Sequence, residues 1–182
     1  MLPRDDLADL IRLDHERFRT RVPAVLDDGE YDLERLDRLG ESVPGGDDAL
    51  AAGDSESFTA HEGAYVERIR VLDDAPVGIT LAGPAYADNP VVYVNRTFRE
   101  LTGYSLGDLR GENLRLLQGP DTEAEPVSEL REALSTWNRT TTTLTNYRAD
   151  GSTFRNRVTL VPVTDRAGTV VNWLGFQEAV EE

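Results

Sequence analysis

Thr140–Val180 reads TTTTLTNYRADGSTFRNRVTLVPVTDRAGTVVNWLGFQEAV, and this stretch decides the fold class. Three runs rich in β-branched and aromatic residues, Thr140–Tyr147, Thr153–Pro162 and Thr169–Glu178, are joined by Ala149-Asp150-Gly151 and by Asp165-Arg166-Ala167-Gly168. Connections this short return a strand antiparallel to its predecessor, and each carries the glycine that a hairpin uses for positive φ. Upstream, Pro126 in a first turn opens a helix over Val127–Asn138, with Val127, Leu130 and Leu134 on one face. Ser105 with Asp108 forms a capping-box-like start. Asn95 is a natural N-cap for Arg96–Thr102, with Phe98 and Leu101 inward and Gly103 closing the helix. Val91–Val94 and Val77–Ala82 predict two further strands, separated by a turn at Asp88-Asn89-Pro90. The order β-β-α-α-α-β-β-β predicts an α+β fold, a five-stranded antiparallel sheet with its helices on one face.

Further toward the N-terminus, Ala64–Leu72 has a short helical pattern, and Ser42–Ala60, rich in Gly, Ser, Asp and Ala, reads as a linker or loose loop. Two amphipathic runs precede it: Leu7, Leu10, Ile11 and Phe18 at helical spacing, then Tyr31, Leu33, Leu36 and Leu39, ending near Gly40. The expected organisation is a helical extension with its linker over 1–60 and one α+β domain over 61–182. The apolar stripes call for a partner surface, which predicts packing on the sheet or a homodimer.

The composition narrows the function. The chain has 182 residues, a mean hydropathy of −0.44 and no apolar run long enough to span a membrane. No basic and apolar leader opens it, so a cytoplasmic location is expected. With 34 acidic against 19 basic residues its net charge is −15, which disfavours direct contact with nucleic acid or an anionic membrane. Every basic residue is Arg and none is Lys, a bias that fits a salt-adapted, halophilic proteome in which a short Debye length tolerates dense carboxylates. There are no cysteines, and the two histidines, His15 and His61, are isolated; both facts speak against a metal site and exclude thiol chemistry.

The segment GENLRLLQG (Gly111–Gly119) closely resembles GxNCRFLQG, the flavin-binding signature of light-oxygen-voltage (LOV) domains, a photosensory subclass of PAS domains. The resemblance runs from about Val77 to Val180 through NPVVYVNRTFRELTGYS, PVSELREAL, NYRADGSTFRN and WLGFQEAV. LDDAPVGITLA further resembles PAS domains of archaeal, bacterio-opsin activator-type regulators from halophiles. The resemblance implies a blue-light or redox sensor holding FMN noncovalently. Asn146, Asn156 and Gln177 would meet the ring, Asn113 and Gln118 the ribityl hydroxyls, and Arg115 and Arg131 the phosphate; Val158 and Leu160 would line the floor. The chemistry agrees with those assignments. A carboxamide both donates and accepts, as a flavin's pyrimidine edge does, and a guanidinium fork pairs with phosphate oxygens. Strand alternation puts Asn156, Val158 and Leu160 on one face, and Trp173, Gly175 and Gln177 likewise. The motif lacks the insertion that accompanies a dinucleotide in this family, which favours FMN over FAD.

Leu114 stands where the family has its reactive cysteine. A leucine offers no nucleophile, so a cysteinyl adduct is excluded. What the resemblance leaves is photoreduction to a semiquinone, with Trp173 as the preferred electron donor, Trp137 in reserve and Tyr86, Tyr93, Tyr104 and Tyr147 behind them. Two other readings stay open: a flavin-free PAS module for a small ligand or protein interaction, and a flavoenzyme, which the lack of an acid/base constellation disfavours. The last strand runs to the final residues, so output is expected through the surface, the N-terminal helices or an unidentified signalling protein.

Overall fold

In the computed structural model, residues 4–27, 29–40 and 58–181 are described, and the chain divides into two compact units, Met1–Ala75 and Pro76–Glu182. The expected linker over 42–60 lies almost wholly outside the described residues. The division falls at Ala75/Pro76 instead of 60/61 because the helix of residues 60–71 packs with the N-terminal helices.

The first unit holds α1 (Arg4–Arg12), α2 (His15–Val25), α3 (Leu33–Asp37) and α4 (Ala60–Val71). The first amphipathic run is thus two helices, broken where the Asp14 side chain accepts from the Arg17 amide and caps α2. The helix α4 begins earlier than its apolar pattern suggests, because Thr59 and Glu62 form a reciprocal capping box at 3.0 and 3.1 Å. Arginines staple the unit through backbone carbonyls. Arg68 is buried, donates to the Ile11 carbonyl at 2.6 Å and lies 4.8 Å from the Tyr65 ring centroid. Arg19 satisfies the carbonyls of Leu36 in the last turn of α3 and of Leu39 just past it, at 3.1 and 2.7 Å. Leu7, Leu10, Ile11 and Phe18 are buried within the single chain, so the first stripe needs no second subunit, whereas in the second Leu36 and Leu39 are buried and Leu33 is exposed.

The second unit is a five-stranded antiparallel sheet of β1 (Gly78–Ala82), β2 (Val91–Val94), β3 (Thr140–Tyr147), β4 (Thr153–Thr164) and β5 (Val170–Ala179), in the order β2-β1-β5-β4-β3. Its helices are α5 (Arg96–Thr102), α6 (Leu106–Leu109) and α7 (Ala124–Thr136), with 3-10 turns at Ala85–Ala87 and Leu114–Leu117. The strand β4 continues through Pro162, past the last β3 pair at Leu160, where it has a neighbour on one side only and a missing N–H is tolerated. Asn95 locks one corner: its Oδ1 accepts from the amides of Ile79 and Phe98 at 2.8 and 3.1 Å, and its Nδ2 donates to the Val77 carbonyl at 3.0 Å. Gly103 closes α5 in the left-handed region, and the Ser105–Asp108 capping box opens α6. No helix among the described residues is long and apolar enough to cross a membrane.

Candidate functional site

The concave face of the sheet and the helices facing it enclose a cavity of about 340 Å³. Its floor follows from strand alternation. Trp173, Gly175 and Gln177 project from β5; in register beside them lie Ala82 and Pro162, Thr80 and Leu160, and Gly78 and Val158. Leu144 and Asn146 extend the floor along β3. Opposite, Leu114 and Leu117 of the 3-10 turn and Val127, Leu130 and Leu134 of α7 supply an apolar wall. Gly175 allows the close approach, since a Cβ there would overlap the Thr80 hydroxyl.

One end of the floor carries a row of buried amides. Asn156 Nδ2 donates to Asn146 Oδ1 at 2.8 Å and to Gln177 Oε1 at 3.2 Å, and Gln177 Nε2 reaches toward Thr80 Oγ1 at 3.5 Å. Asn146, Asn156 and Gln177 are all nearly inaccessible. Two buried polar atoms in this region have no partner among the described residues, Asn156 Oδ1 and the indole Nε1 of Trp173. Unsatisfied buried groups are uncommon in a finished core, so they mark this wall as built for something polar.

The mouth has the opposite character. Asn113, Arg115, Gln118, Arg131 and Ser135 line it, with Ala85 and Asn89 on the facing lip. Asn113 Nδ2 donates to the Asp88 carbonyl at 2.6 Å, its Oδ1 accepts from the Arg115 amide at 2.8 Å, and the Arg115 guanidinium pairs with the Asp88 carboxylate. Arg131 makes no ion pair with a described residue.

Ten of the expected site residues and donor candidates therefore meet on one cavity: Asn113, Leu114, Arg115, Gln118, Arg131, Asn146, Val158, Leu160, Trp173 and Gln177. Asn156, on the same face of β4 as Val158 and Leu160, completes the amide row at this end of the cavity through its bonds to Asn146 and Gln177. Trp137 is 64% exposed at the left-handed C-cap of α7 and is absent from the wall, as are Tyr86, Tyr93, Tyr104 and Tyr147. Among the described residues, Trp173 is the one aromatic side chain on it.

Sequence reasoning passed over Asp88 and Glu123. The tolerance of Asp for left-handed backbone, used at φ 68, hints at the first. Nothing local marks the second. The Thr145 amide, followed by Arg155, holds the Glu123 carboxyl down from its ordinary 4.5 to about 2. A depressed carboxylate stabilises the fold above its unfolded value and loses that contribution as pH falls through its folded one. Glu123→Gln should therefore flatten the acid limb of stability between about pH 5 and about pH 2.5, measured by denaturant melts; an unchanged limb would show that the pairing carries no linkage.

The residues fit a planar ring with a polar amide edge and an anionic tail: apolar walls face each other, amides with an unsatisfied acceptor stand at one end, and cations stand at the mouth. A family model described as PAS domain matches residues 76–181. A LOV domain whose mechanism was probed with a flavin analogue is 41% identical, with a TM-score of 0.59, over 63% of this chain and 84% of its own. The chain belongs to the PAS domain family and, within it, to the LOV group. The bacterioopsin transcriptional activator of Halobacterium salinarum is 36% identical over 161 residues, 88% of this chain and 24% of that protein. Blue-light-activated histidine kinase 1 of Erythrobacter litoralis is 42% identical over 101 residues, 56% of this chain and 28% of the kinase. The chain thus spans less than a third of either relative.

Proposed function

We propose that the unit from Pro76 onward binds FMN noncovalently and senses blue light by photoreduction, without a thiol adduct. The observation that carries this is the composition of the cavity wall among the described residues: amides at one end, arginines at the other, no sulfur, and Trp173 as its one readily oxidised side chain. The relatives named for blue-light activation support the same reading. When bound, the flavin supplies absorption in the blue and, once excited, a one-electron oxidant.

Asn146, Asn156 and Gln177 would hold the pyrimidine edge, Asn113 and Gln118 the ribityl hydroxyls, and Arg115 and Arg131 the phosphate. Trp173 stands four residues from Gln177 on the same face of β5 and would give the electron. Gln177 is the residue placed to respond. Its amide donates toward Thr80 and accepts from Asn156, and turning it exchanges the two roles. The Thr80 hydroxyl can accept or donate, whereas Asn156 must turn as well, which carries the change from β5 to β4.

Output through the N-terminal helices or a separate signalling protein belongs to the same proposal. The test is an absorption spectrum of the purified chain in darkness and after blue light with an added reductant. A structured blue band that bleaches without an adduct signature is expected. Colourless protein that also fails to take up FMN would overturn the assignment and favour a flavin-free interaction module.

A further inference from the structure

Two of the mouth residues assigned to the ligand's tail are already engaged by one acidic residue on the facing lip. Asp88 accepts from Asn113 Nδ2 through its carbonyl at 2.6 Å and pairs through its carboxylate with Arg115. It sits at φ 68 and is followed by Asn89 at φ 48, successive left-handed non-glycine residues that cost backbone energy and persist only where contacts hold them. Asn89 itself lines the cavity and donates to the Gly83 carbonyl at 3.1 Å, so the segment Ala85–Asn89 is pinned at both sides of the opening.

We propose that Asp88 is a specificity-determining residue that competes with the ligand's phosphate for Arg115. This rests on the flavin reading above. A phosphorylated ligand must take the guanidinium from Asp88, whereas riboflavin, which ends in a neutral hydroxyl, need not. The exchange is feasible because the pair is open to solvent, with side chains 60% and 65% exposed. Exposed pairs of this kind are weak, and a doubly charged phosphate forms stronger, forked bonds to the same group. Asp88 then lowers affinity for the phosphorylated form alone, by occupying Arg115. The Ala85–Asn89 lip is consequently latched by the same carboxylate that the phosphate displaces.

The test uses the full chain and two probes, FMN and riboflavin, titrated by flavin fluorescence. Asp88→Asn keeps an acceptor and a side chain that tolerates the left-handed region, and removes the charge. FMN should bind about three- to tenfold tighter to this variant, while riboflavin changes by less than about twofold. In an Arg115→Gln background the same change should bring less than about a twofold gain, as a double-mutant cycle requires of two groups acting through each other. Equal gains for both flavins would make Asp88 a loop residue without phosphate discrimination and overturn the proposal. So would weaker FMN binding, which would make Asp88 a support for Arg115. A gain that persists in full without Arg115 would reduce the effect to direct repulsion and overturn the competition. If neither flavin binds even the native chain, the flavin assignment itself fails, an outcome distinct from the others.

Discussion

Leu114→Cys should give the chain a light reaction that the native protein cannot perform. Leu114 lines the cavity at the start of the Leu114–Leu117 turn, and the chain holds no cysteine elsewhere, so any thiol chemistry in the variant arises from this one position. A sulfur there replaces a branched apolar group by a smaller one, and an activated thiol is a strong nucleophile. With FMN bound, blue light should bleach the structured absorption band and darkness should restore it, without added reductant. The native chain should show no such cycle. A variant that binds FMN yet keeps its band under light would place side chain 114 away from the reactive part of the ring.

The second large effect concerns Trp173. It is 2% exposed, lies on the cavity wall and leaves its indole N–H unpaired. An indole yields an electron far more readily than a phenyl ring, so Trp173→Phe should slow photoreduction by about tenfold or more, which takes a barrier increase of only about 1.4 kcal/mol. On the proposed reading, an added external reductant, such as a thiol, would return the electron to Trp173, so the measurement is made in its presence. Trp137→Phe is the matched control, since that ring is exposed and off the wall. Time-resolved bleaching at equal FMN occupancy decides the matter. Equal rates in the Trp173 variant and the native chain would assign the donor elsewhere.

Much of the second unit was legible because its signals are local. Asn95, Gly103 and the Ser105–Asp108 pair each act within one helical turn, and the hairpins depend on the residues of their own connections. The parity of Trp173, Gly175 and Gln177 needs only the strand period. The break at Asp14 was harder to see because charged residues run on both sides of it without a Gly or Pro. The start of α4 did carry a signal, Thr59 with Glu62, that the apolar pattern alone does not use. The displaced boundary, the bonds that join Asn156 to Asn146 and Gln177, and the reach of Asp88 to Arg115 all depend on which elements meet in space. Asp88 and Arg115 are 27 residues apart, and no periodicity within either segment encodes their pairing.

The strand order has a consequence for how such a chain is made. The first strand, β1, lies in the sheet between β2 and the last strand, β5, and Thr80 meets Gln177 from 97 residues away. The corner around Asn95 closes locally, through contacts at most 18 residues apart, and can form early. The cavity floor cannot. Its central rows exist only once β5 has left the ribosome and slotted between β1 and β4, a pairing of high contact order. During synthesis the buried apolar edge of β1 therefore waits without its neighbour, and the cavity floor is complete only after β5 is in place.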